Sequence, residues 1–154
     1  VEAGRLELER RGLELESSEL LDGVMRQYGR GRKAMKLVSE NPNAANLHEW
    51  RKRTKDLWYH LRILRKAWPG LLDETADQAH KLADSLGDNH DLAVLDEDLG
   101  NREMSEGARE QFEASIHRRQ AELEKKANQL GWRLYAEKPK AFRRRLDSYW
   151  VVWR

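Results

Sequence analysis

Basic and aromatic side chains are concentrated in residues 47–68, LHEWRKRTKDLWYHLRILRKAW, which contain seven Lys or Arg, two His and three Trp. Lys and Arg donate charge-assisted hydrogen bonds to phosphate and carboxylate oxygens, so the chemistry open to this segment is the binding of an anion. Drawn as a helix at about 100° per residue, the segment gathers most of its basic groups in an arc about 100° wide. The residues of this arc are His48, Arg51, Lys52, Lys55, Tyr59, Arg62 and Lys66.

The composition of this arc indicates a polyanion site more than an ordinary solvated face. Solvated helices usually intersperse Glu with Lys, whereas this arc contains no acid, and Glu49 and Asp56 are predicted to point elsewhere. Like charges one turn apart destabilise a free helix by about 0.2–0.5 kcal/mol per pair, and a bound anion would remove that cost. A plain solvent-exposed face is the alternative. A second arc, rich in Leu and Trp, begins beside the first and is predicted to face the core.

Two further segments supply candidate residues of the same kind. In YGRGRKAMK, residues 28–36, Arg32 and Lys36 lie one helical turn apart, near the edge of an apolar face. Lys138 and Lys140 flank Pro139 at a predicted helix start, where free N–H groups also favour an anion. The complete set of predicted binding residues is His48, Arg51, Lys52, Lys55, Arg32, Lys36, Arg62, Lys138 and Lys140.

Segments that resemble catalytic motifs lack the residues or the spacing that those motifs require. HEWRK has Lys52 where a zinc protease requires His, and GRGRK lacks the spacing of a phosphate-binding loop. DNHD, residues 88–91, resembles a set of metal ligands, but Asp88 as a helix N-cap with Asp91 in the first turn is the stronger interpretation. No acid pair with a plausible base stands out. We therefore expect no enzyme activity, no catalytic residue, no metal site and no cofactor.

The composition predicts an all-α protein of one domain. Ala, Leu, Glu, Lys and Arg are abundant among the 154 residues, only three are Pro, and Val/Ile/Thr runs are nearly absent. The chain has no cysteine, which excludes disulfides and zinc–thiolate sites, and it has no apolar run of about 18 residues. The net charge of +2 hides a strong segregation, since residues 24–68 contain twelve Lys or Arg against three acids. Residues 73–98 contain nine acids and one Lys.

The apolar periodicity and the stop signals predict an antiparallel bundle of six or seven helices. Ser17 and Ser18 are expected to cap the second helix, Asn46 the third and Asp88 the fifth, and Gly87 is expected to end the fourth. Trp132, Trp150 and Trp153 are predicted core residues. The expected helices cover about 3–15, 19–39, 47–68, 71–86, 88–99, 105–137 and 139–150.

The segment LHEWRKRTKDLWYHLRIL resembles the signature of the CHAD domain, the conserved histidine α-helical domain, with His48, Arg51, Lys52, Lys55 and Tyr59 at matching positions. Further similarity lies in YGRGRKAM (28–35), SLGDNHDLAVL (85–95) and LYAEKPKAF (134–142). The resemblance implies an all-helical module that binds inorganic polyphosphate, often on cytoplasmic polyphosphate granules, without catalytic activity of its own. Asp91 matches an acid of the family, for which we expect an orienting or capping role.

The resemblance also implies a partner. The full family domain usually has two related helical halves, each with a basic helix, whereas this chain shows one such helix, of the second-half type. We therefore expect either a homodimer or association with an N-terminal half outside residues 1–154. Two other functions stay open: a nucleic-acid-binding module that stacks bases on Tyr28 or Tyr59, and an enzyme acting on phosphate chains. The fourth hypothesis is a helical module with a purely structural role. No membrane association is expected.

Overall fold

Five α-helices follow one another along the chain in the computed structural model, which describes the backbone of residues 2–153 and the side chains of residues 17–153. They are α1 (Glu2–Glu40), α2 (Ala44–Leu64), α3 (Pro69–Gly100), α4 (Glu106–Leu134) and α5 (Pro139–Trp153), with one 3₁₀ turn at Arg65–Ala67. The prediction of an all-α fold is confirmed, because the described residues form helices and no strand.

The predicted number of six to seven helices is too high, because two expected breaks do not occur. Ser17 is buried within α1, and that helix continues through it as Leu21 and Val24 reach the core. Gly87 and Asp88 lie inside α3, so neither ends nor caps a helix. Glycine in a helix interior costs about 0.5–1 kcal/mol relative to alanine, which tertiary packing on both sides of the position can outweigh. Local stop signals are therefore overridden in α1 and α3.

The start of α2 differs by three residues from the prediction. Asn43, not Asn46, is the N-cap, and its side-chain Oδ1 accepts a hydrogen bond from the backbone N–H of Asn46 at 2.9 Å. The cap follows directly on Pro42, so the connection from α1 is as short as three residues, 41–43. This helix ends at Leu64, four residues before its predicted end at 68, and a 3₁₀ turn leads to Pro69, which opens α3.

The core depends on close approach between aromatic side chains and glycines of neighbouring helices. Trp50 of α2 is 1% exposed and packs where Gly131 of α4 has no side chain. A Cβ at Gly131 would lie 2.5 Å from Cζ2 of Trp50 and 2.9 Å from Sδ of Met35. In the same way a Cβ at Gly31 of α1 would overlap the hydroxyl of Tyr135. Helices α1, α2 and α4 therefore meet around Trp50 and Tyr135.

Helix α5 packs against α1 through aromatic and polar contacts. Tyr28 is fully buried and stacks on Phe142 of α5 with ring centroids 3.9 Å apart. Its hydroxyl donates to the carbonyl of Glu137 at 3.2 Å and accepts from the N–H of Glu137 at 3.1 Å. Burial raises the pKa of Tyr28 to about 12, so the hydroxyl keeps its proton for these bonds at neutral pH. Arg143 adds an ion pair with Asp22 at 2.8 Å.

The prediction that three tryptophans belong to the core is wrong for two of them. Trp132 is 57% exposed and Trp153 is 48% exposed, whereas Trp150 is partly buried against the core. Trp132 is exposed because of the residue that precedes it. Gly131 occupies the core-facing position of α4, so the next residue is rotated by about 100° onto the surface.

We predict that Gly131→Ala destabilises the protein by about 1–3 kcal/mol, because the added methyl group overpacks the site that Trp50 and Met35 fill. Chemical denaturation gives the free energy of unfolding. The matched control is Gly107→Ala in the first turns of the same helix, where a Cβ meets no atom within 4 Å. That substitution should leave stability unchanged or raise it by up to about 1 kcal/mol. Equal stabilities for the two variants would contradict the packing argument.

Candidate anion-binding site

Helix α2 separates a buried face from the basic arc, as its periodicity predicts. Trp50, Thr54, Leu57, Leu61 and Leu64 are its buried residues. Leu47 and Trp58 are partly buried and pack against the core, but Trp68 is 50% exposed because it lies beyond the end of the helix. The apolar face fixes the rotation of α2 about its axis and so determines which surface the Lys and Arg side chains occupy.

Four of the predicted binding residues lie together on this surface. His48, Arg51, Lys52 and Lys55 line one shallow depression of about 240 Å³, which we call the α2 depression. Tyr59 and Asp56 line it as well. Asp56 borders the depression, but its carboxylate is turned to Arg53, which lies outside the basic arc, at 3.4 Å from Nη1. Glu49 pairs with the same arginine at 2.6 Å, so both acids direct their carboxylates away from the arc, as expected.

Arg51 is the best-defined cation of the α2 depression. Its Nε is completely buried and has no hydrogen-bond partner among the described residues. The side chain lies across Gly87 of α3, where a Cβ would be 3.0 Å from that Nε and 3.3 Å from one terminal nitrogen. A buried donor left unpaired costs about 1–3 kcal/mol, or more when it is charged. The terminal nitrogens of this guanidinium form no hydrogen bond or ion pair with the described residues, so they can donate to an anion in the depression.

The residues of α3 beside Gly87 do not act as predicted. Asp91 is exposed in the interior of α3 and makes neither a hydrogen bond nor an ion pair with the described residues, so it neither caps a helix nor orients a cation. Asp88 is likewise an exposed interior residue of α3. His90, by contrast, lies beside the basic arc, with its ring centroid 5.9 Å from that of His48. Sequence reasoning missed His90, because a predicted helix break at Gly87 separated it from its neighbours.

Arg32 and Lys36 lie on a different surface from the α2 depression. They line a depression of about 510 Å³ together with Lys33, Trp132 and Pro139, which we call the α1–α4 depression. It shares no lining residue with the α2 depression. Nε of Arg32 donates to the backbone carbonyl of Tyr135 at 3.1 Å, and Nζ of Lys36 is 3.7 Å from Glu40. The predicted residues therefore occupy at least two surfaces.

Lys138 and Lys140 stand beside the α1–α4 depression, at the start of α5. Both are exposed, and the Pro139 between them lines that depression. Of the three arginines that follow, Arg143 and Arg145 are paired with acids of the fold. Burial lowers the pKa of Arg145, but its hydrogen bonds to Glu137 and Tyr149 outweigh that effect and raise the pKa above its ordinary value. Arg143 and Arg145 therefore serve to hold the fold.

Arg62 continues the basic surface past Tyr59. Its guanidinium carbon lies 5.1 Å from the ring centroid of Trp58. Together with Tyr59, Ile63 and Arg65 it lines a further depression of about 340 Å³, so Tyr59 borders this depression and the α2 depression alike. Arg65 was not among the predicted residues, because a regular helix places it off the basic arc, whereas the chain enters a 3₁₀ turn at this residue.

Comparison with known families identifies the chain. The family model of the CHAD domain matches residues 6–100, which is more than half of the sequence and includes all of α2 and α3. The chain belongs to the CHAD family. The match contains the basic arc of α2, Arg32, Lys36 and the Gly87 segment, but the similarity predicted for residues 134–142 lies outside it.

The other two comparisons gave no match, neither among curated proteins nor among solved structures. CHAD domains are known as modules of the polyphosphate-binding type and are generally non-catalytic. Among residues 2–153 of this CHAD protein, no helix has both the length and the apolar character needed to cross a membrane.

We predict that Gly87→Ala lowers the affinity of the α2 depression for a linear polyanion about tenfold while leaving the free energy of unfolding unchanged or higher. The added methyl group displaces the Arg51 side chain, whereas alanine favours the helix by up to about 1 kcal/mol. The loss of one charge-assisted contact accounts for about a tenfold change in affinity. Gly100→Ala, in the last turn of the same helix, is the control, since its Cβ meets no atom within 4 Å.

In the background of Arg51→Ala, Gly87→Ala should have no further effect on affinity. An equal loss of affinity with and without Arg51 would show that Gly87 acts by another route.

Proposed function

We propose that this CHAD protein binds inorganic polyphosphate, without catalysis, and that the α2 depression is its principal site. The observation that carries the proposal is the gathering of His48, Arg51, Lys52 and Lys55 round one depression, where Arg51 holds a buried and unpaired Nε. Family membership supports the same ligand class.

The spacing of the arc suits a linear polyanion. Residues three and four apart on a helix lie about 5–6 Å from one another, so a phosphate chain running along α2 meets cations at short and regular intervals. Each contact is a charge-assisted hydrogen bond to a phosphate oxygen. Polyphosphate carries no base or sugar, and a row of Lys and Arg side chains binds it through the phosphate oxygens alone. Repulsion among the cations falls when the chain is bound.

The other predicted residues extend this proposal to a longer ligand. Arg62 lies past Tyr59 on the same helix, and Arg32, Lys36, Lys138 and Lys140 belong to the α1–α4 depression and its border. A long phosphate chain can extend from one surface to the other, whereas a short chain occupies a single depression. We therefore propose Arg62, Arg32, Lys36, Lys138 and Lys140 as secondary contacts. Association with a second copy or with an N-terminal half, and a location on cytoplasmic polyphosphate granules, belong to the same proposal.

A second candidate function is the binding of single-stranded nucleic acid at the α2 depression. It is favoured by Tyr59, which is 49% exposed and lines the depression, so that a base could stack on its ring. Tyr28, the other tyrosine considered for stacking, is fully buried between α1 and α5 and cannot take this role. The two candidate functions differ in whether affinity depends on an aromatic ring.

The experiment that tests the principal proposal is a salt titration of affinity for long-chain polyphosphate, with wild type and Arg51→Ala/Lys55→Ala compared. We expect the double variant to bind at least tenfold more weakly at low salt. Its plot of log affinity against log salt should be shallower by about 1.4, since about 0.7 is lost per phosphate contact on a single chain.

The matched control is Lys125→Ala/Lys126→Ala, which removes the same charge from exposed positions of α4 that line none of the depressions described above. This control should retain affinity to within about twofold, since it alters only the long-range field. Equal losses in the two double variants would contradict a site on α2 and would leave only attraction by net charge.

Tyr59→Ala separates the two candidate functions. If the ligand is polyphosphate, the substitution leaves its affinity unchanged, because there is no base to stack. If the site serves single-stranded DNA, removal of the ring weakens DNA binding by about 1–3 kcal/mol. Competition between DNA and polyphosphate at equal phosphate concentration shows which ligand the wild-type protein prefers.

A further inference from the structure

The α1–α4 depression contains a feature that a phosphate chain does not require, an exposed tryptophan. Trp132 is 57% exposed, and within residues 17–153 its ring contacts no other aromatic ring and no cation. The other exposed tryptophans differ, since Trp68 packs edge-on against Tyr149 and Trp153 lies against Trp150. Trp132 is therefore a large aromatic surface open to a ligand ring.

The backbone beneath Trp132 is held firmly, which gives that surface a defined position. The residue belongs to the last turn of α4 and follows Gly131, which is locked under Trp50 and Met35. The chain then reaches Tyr135, a buried residue whose hydroxyl forms a hydrogen bond of 3.1 Å with Thr54. A ring stacked on Trp132 would rest on a helix end that the core holds in place.

Three cations line the same depression. Arg32 is oriented by its bond to the Tyr135 carbonyl, and Lys33 is exposed with no hydrogen bond or ion pair to the described residues. Lys36 and Glu40 form an ion pair at 3.7 Å, with side chains 73% and 61% exposed. Pairs as exposed as this contribute little to stability, so Lys36 can exchange Glu40 for a bound anion. The lining of this depression contains one carboxylate, that of Glu40, and the three basic side chains of Arg32, Lys33 and Lys36.

We propose that the α1–α4 depression binds a nucleoside phosphate, with the base stacked on Trp132 and the phosphates held by Arg32, Lys33 and Lys36. Its volume of about 510 Å³ falls in the range of about 300–1,000 Å³ typical of small-molecule sites. The inference goes beyond polyphosphate binding, because its ligand carries an aromatic ring that polyphosphate lacks. A mononucleotide fits better than a nucleic-acid strand, since strand-binding surfaces stack successive bases on several rings and this lining offers one.

The test compares ATP with inorganic tripolyphosphate, which has the same number of phosphates and no base. Equilibrium affinities of both are measured by isothermal titration calorimetry with the whole chain. We expect ATP to bind about tenfold more tightly, from stacking of the adenine. Trp132→Ala should lower ATP affinity to the level of tripolyphosphate and leave tripolyphosphate affinity unchanged. Lys33→Ala/Lys36→Ala should weaken ATP binding, whereas tripolyphosphate also has the α2 depression available and should lose less affinity.

Two control variants locate the effect. Trp153→Ala removes an indole that is 48% exposed and does not line the depression, and it should leave the preference for ATP intact. Tyr59→Ala removes the exposed ring of the α2 depression and should likewise have no effect on that preference. Circular dichroism confirms that each variant is folded, which the exposure of all three rings favours.

The proposal is overturned if ATP and tripolyphosphate bind equally to the wild type, or if Trp132→Ala leaves the preference intact. It is also overturned if Tyr59→Ala, rather than Trp132→Ala, abolishes the preference, because the base would then occupy the α2 depression. Failure here is distinguishable from failure of polyphosphate binding. The latter depends on Arg51 and Lys55 and is measured with long-chain polyphosphate.

Discussion

The packing of Trp50 against Gly131 is the contact on which the rest of the structure depends. The indole enters the space that glycine leaves on α4, and Met35 of α1 packs against the same glycine, so three helices meet at one residue of α4. Because this face of α2 is held inward, the basic arc of the same helix is held outward. The rotation of α2 about its axis therefore determines both which residues are buried and where the cations lie. No other element is needed to bring these cations together on the surface.

Tyr135 connects this framework to the second basic surface. Its hydroxyl meets Thr54 of α2, its ring occupies the space left by Gly31 of α1, and its carbonyl accepts from Arg32. Burial raises the pKa of Tyr135 well above its ordinary value, so the hydroxyl is neutral across the physiological range. The residue therefore supports a core junction and orients a cation at the same time. Two depressions with different linings are built on one set of packed helices.

Much of the fold and part of the site could be predicted from local pattern. The all-α class, the amphipathic division of α2 and the grouping of His48, Arg51, Lys52 and Lys55 follow from a period of 3.6 residues, which a helix expresses wherever it lies. The helix boundaries were less predictable. Gly87 looks like a stop signal, yet α3 continues through it as a buried residue against which Arg51 of another helix packs, and no local rule contains that information.

The sequence by itself determined that this protein is helical, that α2 carries a basic arc without an acid, and that the chain belongs to the CHAD family. Only the tertiary structure decided which cations share a surface. Arg32 and Lys36 turned out to lie with Trp132, apart from the α2 depression, since the direction of a side chain relative to other helices depends on long-range packing. Trp132 itself was expected in the core, but the glycine beside it takes the inward position, and the helical rotation of about 100° per residue places the indole on the surface.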